Sequence, residues 1–272
     1  MNRKLDFAAL ERIESAAFLD LYRAAPNAMR ASFRIDGCTV AGATCLVCER
    51  VQPAAIFRKA CGLGVHAPAR ESDLDQVVRH MDRFGEPYVI TVTPHAMPTA
   101  LPPWLKARGF TPGYAFMKFS RATAAATDAA TDLDVEVIGP QRGPAFGQLV
   151  SAVFGLPDSL GQWIAQLPGR ERWVCLLASA GDVPVAAAAA YIEDQYAWFG
   201  LGATLPEFRR RGAQSVLLSR RLREAHARGA SVAVTETGER VPDRPSNSYR
   251  NILRSGFEEM YLRQNYHSPA RA

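Results

Sequence analysis

The residues best suited to chemistry are Arg209-Arg210-Arg211-Gly212-Ala213-Gln214-Ser215. An Arg-rich loop reaches a glycine, and an apolar helical periodicity starts directly after it. Leu218, Leu222 and Ala225 share one face with Leu217 beside them, while Arg220, Arg223 and Glu224 lie on the polar side. The first turn of a helix carries backbone N–H groups without intrahelical partners and the positive end of the macrodipole. Gly212 lets an anion approach the backbone closely, so the segment suits a phosphate without needing a particular side chain. The ordinary reading of the same residues is a solvated, Arg-rich helix start. Nucleic-acid binding also uses Arg clusters, but no stacking aromatics alternate with these basic residues.

The other reactive side chains are less well grouped. Cys38, Cys45, Cys48, Cys61 and Cys175 form an odd set, four of them in the N-terminal half. Cys45-x-x-Cys48 lies in Ala43-Thr44-Cys45-Leu46-Val47-Cys48, which reads as a strand, where residues three apart face opposite ways. No second pair follows at zinc spacing, so buried, reduced core thiols are expected. His66, His80, His95 and His267 show no metal spacing either, and His226 sits on the solvated side of a long helix. No metal is expected.

These groups need elements to hold them, and 272 residues are enough for two domains. Hydrophobic content of 48% and charged content of 22% imply packed cores rather than disorder. The net charge of +5 favours anionic ligands weakly, and a solvated surface accounts for it as well. No apolar run approaches the ~20 residues of a membrane span. No secretory leader is visible at the charged N-terminal segment, so a cytoplasmic location is expected. Arg121 to Asp132, RATAAATDAATD, has no large apolar residue and reads as a linker between domains at 1–120 and 133–272.

The N-terminal half is expected to open with an amphipathic helix from Leu5 to Tyr22, stopped by Pro26. Strands follow near Phe33–Ile35, Thr39–Val47 and Ala54–Phe57. Then come a helix at Glu71–Phe84, a strand at Tyr88–Val92, a short helix closed by Gly109 and a strand at Ala115–Phe119. The C-terminal half places helices at Gly143–Phe154 and Leu160–Gln166. Strands follow at Trp173–Ser179, Val185–Ile192 and Tyr196–Thr204, then a helix at Gly212–Arg228. A strand at Ser231–Thr237, a helix at Ser248–Ser255 and a strand at Glu259–Tyr266 complete it. The fold class is α/β, with mixed sheets of the α+β kind, and lacks the regular β-α-β alternation of a doubly wound sheet.

Strand, Arg209-x-x-Gly212-x-Gln214 and helix together resemble the GNAT superfamily of acetyltransferases, whose signature is Gln/Arg-x-x-Gly-x-Gly/Ala between a strand and a helix. Gln214 stands where the family has a small residue. Downstream, Ser248-x-Arg250-Asn251 leading to Gly256-Phe257 is similar to the family's later helix, with Ile252 where many members carry a Tyr. The resemblance runs from about Val135 to Tyr266. Trp104 to Gly109-Phe110 resembles the closing helix of a second, degenerate copy. The stretch between Phe57 and Glu71, RKACGLGVHAPAR, carries no phosphate-loop motif. The chain therefore looks like two tandem GNAT-like acyl-CoA acyltransferase domains with one cofactor site, the N-terminal copy serving structure or walling a substrate groove.

The resemblance implies acetyl-CoA as co-substrate. Leu201, Gly202, Ala203 and Thr204 would line the pantetheine arm, backbone N–H groups of Arg209 to Ser215 would hold the pyrophosphate, and Asn251 would contact the cofactor. Acetyl transfer to an amine needs proximity, a base for the ammonium proton, and donors for the oxyanion and leaving thiolate. Glu236, near the end of the neighbouring strand, is the candidate base; Glu236 or Glu239 as a surface carboxylate is the alternative. Tyr249 or Tyr261 is the candidate acid, or an aromatic that merely packs. The acceptor would be a primary amine of a small molecule or peptide, attacking directly in a ternary complex. The alternative is a catalytically inactive CoA-binding or ligand-sensing protein. Neither a nucleic acid nor a membrane is an expected partner, and a homodimer stays open. Acceptor choice would lie in the loops Gly155–Gly169 and Arg240–Ser246, with Pro157, Trp163 and Trp173 as groove or core residues.

Overall fold

The computed structural model describes residues 6–49, 57–85, 87–124, 129–242 and 247–270. The expected strand at Ala54–Phe57 lies outside them except for Phe57, as do parts of the 121–132 linker and the 240–246 loop. The chain divides into two compact units, one of Met1–Met117 with Tyr261–Ala272 and one of Lys118–Met260. No helix among the described residues is long and apolar enough to cross a membrane.

In the first unit, helix α1 (Phe7–Arg23) begins at Asp6, whose carboxylate accepts from the Ala9 N–H, and buries Leu10, Ile13, Ala17 and Leu21. Helix α2 (Asn27–Phe33) occupies the place of the strand expected near Phe33–Ile35. Arg34 adopts a left-handed φ of 44° that ends the helix, and the strand starts only at Asp36. The single strand expected over Thr39–Val47 is a hairpin instead. Strand β1 (Asp36–Val40) pairs antiparallel with β2 (Ala43–Val47). Between them Ala41 and Gly42 both take positive φ, 47° and 83°, as a tight two-residue turn demands. Strand β3 (Lys59–Cys61) joins β2 antiparallel and β4 (Val89–Val92) parallel.

Helix α3 (Glu71–Asp82) lays Leu74, Val77 and Met81 on the core with Ala60 and Ile90, and helix α4 (Leu101–Ala107) adds Leu105. Strand β5 (Thr111–Pro112) and β4 both pair with residues of the last strand, β12 (Glu258–His267). Beneath α1 lies a buried polar group. Glu11 accepts from Tyr261 Oη at 2.7 Å and from Arg263 at 3.0 Å, and Glu14 accepts from Arg263 at 2.6 Å. Arg263 makes these two carboxylates tolerable in a site only a few per cent exposed.

The second unit shares strand β6 (Phe116–Ala122) with the first and continues with β7 (Asp134–Ile138), which periodicity did not indicate. Helices α5 (Gly143–Phe154) and α6 (Asp158–Ile164) follow, then β8 (Trp173–Ala180), β9 (Val183–Glu193) and β10 (Tyr196–Thr204). Helix α7 (Ala213–Ala227), strand β11 (Val232–Gly238) and helix α8 (Asn247–Arg254) complete it. The strand order is β7-β8-β9-β10-β11-β6, with β10 and β11 parallel. Ala186 to Ala190 in β9 are fully buried, and α5 and α7 both pack against this strand. Alternation puts alanines on both of its faces, so small side chains let the helices approach.

Candidate functional site

The site is built where two parallel strands separate. β10 and β11 pair from Tyr196↔Val232 to Phe199↔Thr235, yet β10 continues to Thr204 and β11 to Gly238. Beyond Phe199, β10 stays with β9 but shifts register between Gly200 and Ala203. Leu201, inside that bulge, takes a positive φ of 51°. Leu201 and Gly202 therefore have no register partner on β9, as in a bulge. Leu201 to Thr204 thus lie together along one side of the opening, and Glu236 is the first residue of β11 past the last pair.

Two buried side chains donate to main-chain carbonyls where the sheet opens. Thr235 Oγ1 donates to the Phe199 carbonyl at 2.9 Å, at the last paired position. Arg221, 4% exposed, sends Nη1 to the carbonyls of Ala189 (3.1 Å) and Gly200 (3.3 Å) and Nε to that of Leu217 (3.2 Å). Ala189 and Gly200 are cross-strand partners directly before the bulge. The guanidinium also stacks over Phe199, 4.8 Å from its centroid. Burial lowers its pKa to about 9, which still leaves the charge in place at neutral pH. Sequence reading passed over both residues. For Arg221 a signal existed, because it stands four residues from both Leu217 and Ala225 on the apolar face.

The opening leads to the start of α7. Gly212 caps the helix with φ 79°, and Arg210 before it is also left-handed at φ 68°. Among the described residues, the backbone N–H groups from Arg210 to Ser215 have no partner. That cluster of donors at a positive helix end suits a pyrophosphate. The glycine has a second reason: a Cβ at 212 would lie 2.7 Å from the Ala130 carbonyl. Thr131 Oγ1 donates to the Arg211 carbonyl at 2.9 Å, and Asp132 pairs with the Arg211 guanidinium. Residues 130–132 therefore brace the loop. Arg209 and Arg210 are exposed, so the positive charge left for a ligand rests on them and on the backbone.

Gln214 and Asn251 meet, with Asn251 Nδ2 donating to Gln214 Oε1 at 2.7 Å. Ala213 is buried at the helix start and Ser215 half-buried. Glu236 and Glu239 are both half-buried. Tyr249 is 4% exposed; its hydroxyl donates to Glu259 at 2.7 Å, and burial first, then that carboxylate, raise its pKa to about 12. Tyr261 belongs to the first unit, where its hydroxyl donates to Glu11 and its ring meets His95 edge-on. The two candidate acids thus fall in different units. Ile252 is a buried core residue. Trp163 and Trp173 are 1% and 3% exposed and fill core. Cys45, Cys48, Cys61 and Cys175 are buried and free, and burial raises each thiol pKa, so none is a ready nucleophile.

No curated protein matches the chain. A GCN5-related N-acetyltransferase from Kribbella flavida superposes with a TM-score of 0.65 at 17% identity, covering 96% of each chain. One from Sphaerobacter thermophilus gives 0.58 at 12% identity, over 97% of this chain and 93% of that one. A tandem GNAT protein from the clavulanic acid biosynthesis pathway gives 0.57 at 14% identity, over 83% and 77%. At these identities the likeness is one of fold. Residues 115–235 match the family model described as acetyltransferase (GNAT) domain. This stretch belongs to the GNAT acetyltransferase family, and the chain shares the fold of proteins built from such domains.

Proposed function

We propose that the second unit binds acetyl-CoA and transfers its acetyl group to a primary amine of a small molecule or peptide, by direct attack in a ternary complex. The observation that carries this reading is the parting of β10 and β11 after Phe199 and Thr235, beside a helix start whose N–H groups lack partners. The free N–H groups of Arg210 to Ser215 take the pyrophosphate oxygens, and the bulged main chain at Leu201 and Gly202 lines the pantetheine arm. Arg209 and Arg210 add long-range attraction for the phosphates, screened by salt. Asn251 acts through Gln214, holding the first turn in place.

In this proposal Glu236 removes the ammonium proton, directly or through a water, before the amine attacks the thioester carbonyl. Holding both reactants in the gap between the strands supplies the proximity term. Tyr249 is the acid that shares a unit with the loop, and its hydroxyl must turn from Glu259 to reach a thiolate. A second reading, a CoA-binding protein without catalysis, draws support from that engaged hydroxyl and from the apolar Ile252.

Calorimetric titration with acetyl-CoA, followed by a CoA-release assay across a panel of primary amines, separates these outcomes. Binding with amine-dependent CoA release is expected. Binding without release from any amine selects the second reading, and no binding removes both.

A further inference from the structure

The first unit carries a cluster of ligand-type side chains that the acetyltransferase reading leaves unused. Asp36 and Cys38 stand two apart on β1, and therefore project from the same face of the strand. His80 comes from the last turn of α3, which packs against β1. Cys38 Sγ and His80 Nε2 lie 3.4 Å apart, although 42 residues separate them in the chain. The Asp36 carboxylate, Cys38 Sγ and His80 nitrogen all fall within 4.8 Å of one another. Each of the three residues is half-buried, so the cluster is open to solvent on one side.

The spacing matches a coordination shell. With metal–sulfur and metal–nitrogen bonds of about 2.3 and 2.0 Å at a tetrahedral angle, the sulfur–nitrogen edge is about 3.5 Å. The Asp36 carboxylate makes no hydrogen bond or ion pair among the described residues. By contrast, neighbouring Glu49 pairs with Arg34 at 2.6 Å. His80 is oriented by Phe84, whose ring centroid lies 5.4 Å away.

We propose that Asp36, Cys38 and His80 form a binding site for a borderline-soft divalent transition-metal ion, zinc by donor set, with a fourth position left to water. A thiolate and an imidazole select against magnesium and calcium, which take oxygen shells. Binding forms a metal–sulfur bond at Cys38 and releases the thiol proton to buffer, with no change of oxidation state. The ion would tie β1 to α3, which pack against each other, and so stabilise the first unit by mass action.

The test uses the full-length, tag-free, reduced protein with cobalt(II) and zinc(II) as probes. The expected result is one equivalent of cobalt with a thiolate-to-cobalt charge-transfer band. Cys38→Ser should abolish that band, and His80→Ala and Asp36→Asn should each weaken zinc binding tenfold or more. Cys175→Ser and His66→Ala should leave both readings unchanged. A wild-type measurement guards against misfolded variants: zinc should slow alkylation of Cys38 by iodoacetamide at least tenfold, read by peptide mass spectrometry. Absence of the band, its persistence in Cys38→Ser, or unaltered alkylation in zinc would overturn the proposal.

Discussion

Asn251 Nδ2 donates to Gln214 Oε1 at 2.7 Å, which ties helix α8 to the first turn of α7. This gives the glutamine a structural use at a motif position where a small residue is usual, while its backbone N–H remains directed outward from the helix start. Gln214→Glu keeps the acceptor for Asn251 and adds a negative charge to a helix N-terminus. Thermal stability should hold or rise, since an acid there contributes about 0.3–1 kcal/mol. Acetyl-CoA affinity should nevertheless fall tenfold or more by charge repulsion. Unchanged affinity by calorimetry would remove the pyrophosphate from this helix start.

Arg221→Met keeps the length of the side chain and removes its donors to Ala189 and Gly200. The carbonyls of Ala189, buried, and Gly200, half-buried, then lose these donors, at about 1–3 kcal/mol each, less what is recovered by not burying a charge. A loss of about 2–4 kcal/mol in urea unfolding is expected, with a raised KM for acetyl-CoA. A variant as stable as the wild type would show that the bulge does not depend on Arg221.

Glu236→Gln should lower kcat by about 10²–10⁴-fold, the span typical of a lost general base, with acetyl-CoA affinity preserved. Tyr249→Phe should lower kcat and remove the alkaline limb of the pH profile, which a general acid sets, whereas Glu236→Gln should leave that limb in place. Steady-state kinetics over a pH range distinguish them. If Glu236→Gln retains full kcat, the base lies elsewhere.

The raised pKa of Tyr249 has a consequence for stability. Its folded value, about 12, lies above the ordinary 10, so the unfolded chain loses this proton first as pH rises. The contribution is fully present below pH 10 and is lost as pH climbs toward 12, about 3 kcal/mol in all by linkage. Tyr22, Tyr261 and Tyr266 shift the same way, so the measurement is the difference between wild type and Tyr249→Phe. That difference should shrink between pH 10 and 12. A constant difference would mean that Tyr249 titrates normally.

Local patterning determined much of this protein. Apolar spacing marked α1, α3, α5 and α7, glycines closed helices at Gly109, Gly229 and Gly256, and the Arg209–Ser215 segment stood out because what it offers is main-chain geometry at a helix start. Those features act over a few residues, and the chain displays them in order. Errors came where one local preference overrode another. Arg34 in a left-handed conformation let α2 run to Phe33, and the Ala41-Gly42 turn cut one apparent strand into a hairpin.

What only the tertiary structure decided are pairings across distance. Arg221 looks like any arginine on a helix until Ala189 and Gly200 stand opposite it. Tyr261, a candidate acid by sequence, falls in the first unit, where its hydroxyl donates to Glu11, a partner 250 residues away in the chain. Cys38 and His80, 42 residues apart, show no metal spacing in the sequence and yet touch. A sheet can open, bury a charge or gather ligands only through contacts between residues far apart in the chain, and spacing along the sequence carries no record of them.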